Sequence, residues 1–416
     1  MKHFYALFLL LLTAAVPVLG QPTHSFDGSP DAPFGDSFVR SCRHLMLDVD
    51  AAGFFYDAEY ATPFSKGYTV TGFRLSPALA YGINERALLS VGFNATAFAG
   101  LDSLYRLRPT FTLVYAPAGW LTLVAGTIYG SLNHRLDAPA YDPSRWIYNY
   151  QEDGLQILTN TRGWSSDTWL DWSHYLTPWT ADQERFTMGT RYNFNILNIV
   201  KRKEWHDSAK PISGPCIFTN HHSEKNFKVE IPTHFIASHR GGEVKTIDTN
   251  TVTTFNERTG LRFNYSRNLD DRLKHSFTLD LPVYFYHLED NTLDGGGRAF
   301  YPTLSYTYVR DNPDNRSATS LCAALGYWHG DHYFSAYGSP QFWSANAYST
   351  LHMPASAALA DAADIRNMLT FGLALGHEFK GLDLGLKADA YYDLNLRKTD
   401  FLIGFYMRFR ERFILL

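Results

Sequence analysis

Charged side chains recur at every second position in several stretches of this chain, the spacing that would line a water-filled interior with fixed charge. Arg106, Arg108, Arg185, Arg191, Arg262, Asp280, Glu378, Lys387, Asp389, Arg408 and Arg410 share the polar parity of their segments, as do Asp167, Asp171 and Asp393. Rings of such charge select solutes in a pore. A solvated or salt-bridged interior would use the same residues and select nothing, and the sequence leaves both readings open. The slight excess of arginine predicts a weak preference for anions.

Two other groupings could do chemistry. His206, His221, His222, His234 and His239 lie near Cys216, but no pair has a spacing that fixes two ligands on one rigid face, so no metal site and no cofactor are expected. Ser173 and His174, with Asp171 close by, approximate a hydrolytic constellation. Neighbouring residues of a strand point to opposite faces, so Ser173 and His174 cannot form a dyad there, and no catalytic residue is assigned. Cys42, Cys216 and Cys322 permit at most one disulfide, whose pairing stays open. A net charge of -4 gives no sign of nucleic-acid binding.

The elements that must position these groups are strands. From Asp383 to Leu396 the residues Leu384, Leu386, Ala388, Ala390, Tyr392, Leu394 and Leu396 form one face, and Asp383, Gly385, Lys387, Asp389, Tyr391, Asp393 and Asn395 the other. Side chains alternate across a strand with period two, so such a segment is apolar on one side and polar on the other. About ten residues tilted by roughly 45° cover about 25 Å of apolar band, the height of a membrane's hydrocarbon slab. The pattern recurs near 45–57, 70–82, 87–98, 104–115, 119–130, 152–161, 166–175, 184–196, 227–239, 252–266, 274–288, 299–309, 318–328, 368–379, 382–396 and 399–412.

These segments predict an all-β fold: a transmembrane antiparallel up-and-down β-barrel of about 16 strands, with 14 or 18 as alternatives. They exceed the usual five or six residues of soluble strands, although a secreted sandwich or propeller also alternates. Aromatic residues make up 16% of the chain. Tyr284 to Tyr286, Tyr391-Tyr392 and Phe405-Tyr406 are read as parts of interface girdles. Short turns and long connections alternate as a barrel requires, except at 197–226, which could hold two weak strands, a plug or a miscount. Pro77, Pro109, Pro282 and Pro302 each delete a ladder donor and are expected near strand ends, at bulges or facing the lumen. The Ala-rich stretch Ala355 to Ile365 suits a short helix.

Residues 1–20, with an apolar run from Phe4 to Leu12, read as a secretory signal peptide. Residues 21–44 would form a periplasmic segment or small hatch, and 45–416 the barrel.

Gly67-Tyr68-Thr69-Val70-Thr71-Gly72-Phe73-Arg74-Leu75, Leu132-Asn133-His134-Arg135-Leu136 and Tyr150-Gln151-Glu152-Asp153-Gly154-Leu155-Gln156 resemble segments of a family of uncharacterised porin-like outer-membrane barrels of Gram-negative bacteria. So do Trp169-Leu170-Asp171-Trp172, Gln183-Glu184-Arg185-Phe186-Thr187 and His239-Arg240-Gly241-Gly242. The resemblance implies a barrel in the cell outer membrane and carries over no site residue. The expected function is a passive channel for small polar solutes. A structural or partner-binding barrel of an envelope complex, or a lipid hydrolase, are the alternatives. Expected partners are outer-membrane lipid, lipopolysaccharide, the barrel-assembly machinery and further copies of the chain in a homo-oligomer.

Overall fold

The computed structural model describes residues 43–161, 163–175, 183–209, 217–241, 252–269, 272–290, 294–312, 317–335, 337–344 and 365–416. The segment assigned to a signal peptide lies outside them, and so does the Ala-rich stretch apart from Ile365, which opens a strand.

The strands are β1 (Leu45–Glu59), β2 (Tyr68–Asn84), β3 (Ala87–Phe98), β4 (Arg106–Ala118), β5 (Leu121–Thr127), β6 (Asp153–Asn160), β7 (Trp164–His174), β8 (Glu184–Ala209) and β9 (Ile217–Gly241). They continue with β10 (Val252–Leu269), β11 (Leu273–Asp290), β12 (Asp294–Phe300), β13 (Thr303–Asn312), β14 (Ser317–Asp331), β15 (Ile365–Phe379), β16 (Leu382–Asp393) and β17 (Lys398–Ile414). Each pairs antiparallel with its neighbours, and β17 returns to β1 from Met46↔Ile414 to Glu59↔Phe401. β12 and β13 both lie between β11 and β14, as two halves of one strand broken at Tyr301-Pro302, so the closed barrel has 16 strands. Closure removes every sheet edge that lipid could not hydrogen-bond.

The alternation read from the sequence sorts side chains as a barrel wall in lipid must. Leu107, Phe111, Leu155, Leu304, Leu325 and Phe371 stand exposed on the outside. Their lumen-facing neighbours, such as Asp167, Asp280, Asp393 and Arg408, are buried. A closed wall with such a belt belongs in an outer membrane. The first and last strands start and finish at one rim, where Leu45 N–H donates to the Leu416 carbonyl. The short turn Lys380-Gly381 lies at the same rim, with φ of +49° and +81°, the doubly left-handed backbone that two-residue hairpins favour. Long connections leave from the opposite rim, which is therefore the outer one.

Three expectations meet a definite outcome. Among its described residues the stretch 197–226 is neither plug nor separate strands: β8 and β9 continue one ladder to Ala209↔Ile217. On the β7 side the pairing of β8 stops at Phe194, but β9 stays paired with β10 down to Ser223, opposite Lys203, so only the hairpin past Lys203 and Ser223 outruns both neighbours on the inner side. The aromatic pairs are not wholly girdle. Tyr284, Tyr286, Tyr391 and Tyr406 are buried in the lumen, and only Phe285, Tyr392 and Phe405 face outward. Strand alternation forces that split on any adjacent pair. The polar strand reading that ran to Leu396 ends at Asp393, followed by a turn.

The prolines coincide with gaps in the ladder. Pro302 breaks β12 from β13; its missing donor faces Tyr327 on β14, while that of Pro282 on β11 faces Tyr301, so two adjacent ladder rungs each lose one bond. The β2–β3 pairing skips from Leu75 to Ala78 around Pro77. Phe111 N–H turns toward the β5 side to reach Thr127 Oγ1 at 3.3 Å. Two residues away, the nitrogen of Pro109 points the same way, where β5 has already ended.

Candidate functional site

The barrel's interior is filled by two of its outer connections. The first, residues 128–152, leaves β5 where Gly126 adopts φ +91°. A Cβ there would lie 2.1 Å from the Phe111 carbonyl oxygen, so only glycine lets the β5–β6 hairpin bend off β4 into the lumen. This loop carries a 3-10 turn, Ser131–His134, and one helical turn, α1 (Arg145–Tyr148). The second, residues 332–344, bonds to it: Ser335 Oγ donates to the Ala140 carbonyl at 2.8 Å and Ser339 N–H to that of Ala138 at 3.0 Å. Trp146, Tyr333, Phe334 and Phe342 pack with Phe54, Tyr284, Trp328 and Met368 in a dry aromatic core where an open pore would be.

Ion pairs pin these loops to the wall. Asp137 receives Arg258 Nε at 2.7 Å and the Tyr284 hydroxyl at 3.0 Å. Arg366 spans from Asp393, at 2.8 Å, to the Gln341 and Trp343 carbonyls. The Arg74 guanidinium stacks 3.5 Å over Tyr150 and donates to the Trp146 carbonyl. Each arrangement satisfies a buried charge with a partner, as burial demands.

Three residues before Asp137, His134 is fully buried between two carboxylates. Nδ1 lies 2.8 Å from Asp167 Oδ2 on β7 and Nε2 lies 2.9 Å from Glu152 Oε2 at the loop's end. Trp169 stacks on the ring at 3.7 Å, and the Tyr141 hydroxyl donates to the other oxygen of Glu152. A histidine facing two carboxylates must donate from both nitrogens and is therefore an imidazolium. Burial opposes that charge, but Asp167 and Glu152 outweigh it and raise the His134 pKa to about 9. Burial likewise opposes ionisation of Glu152, yet His134 holds its pKa down at about 2. Gln156 completes the cluster, reaching Asp167 at 2.8 Å and clamping the Tyr129 backbone.

The charged residues singled out by parity do not form one ring. Arg106 donates to Asn149 and Arg108 pairs with Asp153, both beside the loop. Arg262 shares Asp280 with Arg258, and Arg191 lies within electrostatic reach of Arg135, Arg262, Asp137 and Asp167. Lys387 pairs with Asp389 at 3.1 Å on β16. Glu378 is half-buried near Asp311, and Arg185 is exposed at the outer rim. Arg408 grips Asp50, and Arg410 lines the cavity beside them. That cavity, of about 190 Å³, is bordered by Asp48, Ser76, Asn133, Gln151 and Arg412 as well.

Ser173 and His174 form no dyad: the Ser173 hydroxyl donates to the Arg185 carbonyl. Of the histidine group, the side chains of His206, His221 and His222, and Cys216, lie outside the described residues. His239 bonds Thr253, and His234 is buried in the lumen. His134 and Glu152 were not singled out for chemistry: His134 lies between the segments read as strands, and Glu152 stands at the edge of the 152–161 segment, just before the observed β6. Both nonetheless fall inside fragments that carried the resemblance.

Among solved structures, the chain is similar to OprB of Pseudomonas putida at 8% identity and a TM-score of 0.44, covering 89% of this chain and 94% of that one. It is similar to OprD of Pseudomonas aeruginosa at 8% identity and 0.42, with 89% and 94% covered. For OmpT of Vibrio cholerae the values are 8% and 0.42, with 88% and 99% covered. None of these bears on the site. No curated protein matches the chain. A family match is more extensive, running from residue 39 to residue 416 and so through the whole barrel and both lumen loops. The chain belongs to the Lipid A 3'-O-deacylase-type family.

Proposed function

We propose that this outer-membrane barrel hydrolyses an acyl ester of an outer-leaflet glycolipid, in keeping with the family's description. The observation that carries the reading is the His134–Asp167 pair. A carboxylate on Nδ1 fixes the ring, leaving Nε2 as the atom that would take a proton from water. Hydroxide attack on the ester carbonyl would release a fatty acid, and the proton on Nε2 would pass to the departing sugar oxygen. Glu152 occupies Nε2 in the described conformation and keeps the ring protonated, so turnover requires Glu152 to withdraw. The filled lumen supports the same reading, since a passive channel needs an open path.

The test is mass spectrometry of lipid A from cells making the wild-type chain, His134→Asn or Asp167→Asn, each checked for folding by heat-modifiable gel mobility. Loss of one hydroxyacyl chain with the wild type alone supports the proposal. Intact lipid A beside a folded wild-type barrel overturns it. A second reading, a passive channel for small polar solutes, is favoured by the polar cavity that Asp50, Arg408 and Arg410 line. Steady ion conductance of the purified barrel in a planar bilayer would support that reading instead.

A further inference from the structure

The barrel wall is lowest beside His134. β5 and β6 have 7 and 8 residues. At about 3.4 Å per residue and a tilt near 45°, seven residues rise only about 17 Å, short of the roughly 25 Å that lipid covers. Their neighbours are taller. On β4, Arg106 to Phe111 continue above the last β5 partner of Thr112, and on β7, Trp172 to His174 continue above the last β6 partner of Asp171. The β5–β6 hairpin bends inward at Gly126, leaving a notch in the outer-leaflet half of the wall.

Side chains rather than a strand close that notch. Gln151 Nε2 donates to the Pro109 carbonyl at 2.9 Å, Thr127 Oγ1 accepts from Phe111 N–H, and Arg106 Nη1 donates to Asn149 Oδ1 at 2.8 Å. Arg108 and Asp153 pair there with about a third of each side chain exposed (33% and 31%). Ionisable groups at membrane height are costly and usually functional. Among the described residues Arg106 has no carboxylate partner; it is held by neutral Asn149 and lies 5.7 Å from the Tyr105 ring. Outside, the notch is flanked by exposed Leu107, Phe111 and Leu155. The seal and the buried cluster are consecutive in the chain: Asp153 faces Arg108 while Glu152 faces His134.

We propose that this notch between β4 and β7 is a lateral port for an outer-leaflet glycolipid, resting on the hydrolase reading above. Acyl chains stay in the membrane along Leu107, Phe111 and Leu155, while the anionic, ester-bearing head turns inward past Arg106 and Arg108. The port gives the substrate a path to His134 that does not pass through the filled lumen. It names an amphiphile with an anionic head and several chains as the ligand class, and not a soluble ester.

Photo-crosslinking in intact outer membranes tests this with the full chain. A benzophenone side chain is placed at Asn149 in the seal, at Lys387 on the lumen face of β16, or at Phe371 on the outer surface, and lipopolysaccharide adducts are read by gel shift. Adducts at 149 and 371, at least ten-fold above those at 387, support the port. An adduct at 371 but none at 149 overturns it, and so does equal labelling at 149 and 387, which would mean entry through the mouth. Lipid A analysis of the same cells separates the two proposals. A 149 adduct with intact lipid A keeps the port and overturns the hydrolase, whereas deacylated lipid A without the adduct overturns the port alone.

Discussion

The imidazole of His134 and the carboxylate of Glu152 meet at 2.9 Å, with side-chain exposures of 0% and 1%. With Asp167 on the other nitrogen, this contact ties the beginning of the lumen loop to its end and both to the wall. It also sets the protonation state of the one histidine the loop carries.

The stability of this clamp should depend on pH from both sides. The folded-state pKa of His134 is about 9 against an ordinary 6.5, so its stabilisation is complete below 6.5 and is lost as pH rises through 9. Glu152 is at about 2 against 4.5, so its share is complete above 4.5 and is lost as pH falls through 2. Thermal unfolding in detergent, followed by near-ultraviolet circular dichroism, should show a maximum between these limits. A midpoint unchanged up to pH 10 would contradict the assignment.

Glu152→Ala should destabilise the barrel by about 3–5 kcal/mol, the usual cost of stripping one partner from a buried ion pair. The alkaline limb should move to lower pH, because His134 loses one of the charges that raise its pKa. A variant that unfolds at lower temperature but keeps the alkaline limb in place would show that Glu152 acts only by packing.

Asp137→Ala removes the anchor by which Arg258 and Tyr284 hold the lumen loop to the wall. Because the Asp137 side chain remains partly exposed (28%), the cost should be nearer 1–3 kcal/mol. Conductance in a planar bilayer should rise several-fold over wild type as the loop loosens. Equal conductance would show that the aromatic core alone keeps the lumen filled.

Gly126→Val puts a branched side chain at φ +91° and against the Phe111 carbonyl. Left-handed backbone alone costs about 1–2 kcal/mol for such a residue. The heat-modifiable gel transition should shift to lower temperature, while Gly53→Val, where a Cβ meets nothing within 4 Å, should shift it far less.

The barrel itself was legible because lipid outside and polar groups inside impose one rule on every spanning residue. That rule places Leu107, Phe277 and Phe405 outward and Asp280, Asp393 and Arg408 inward. It lapses at 197–226, where the β8–β9 ladder shifts register between Asn195 and Leu197 and then outruns β7 and, past Ser223, β10 as well. It also says nothing about what fills the lumen, so Tyr284 and Tyr406 looked like girdle residues and are core.

Composition and periodicity thus determined the wall: strand positions, facing, closure and membrane placement all follow from a local two-residue repeat. Only the folded chain decided the chemistry. His134 meets carboxylates 18 and 33 residues away, and the loop that carries it turns inward at one glycine. Contacts between a loop and a wall leave no period in the sequence, because they depend on where the chain returns and not on how neighbouring residues alternate.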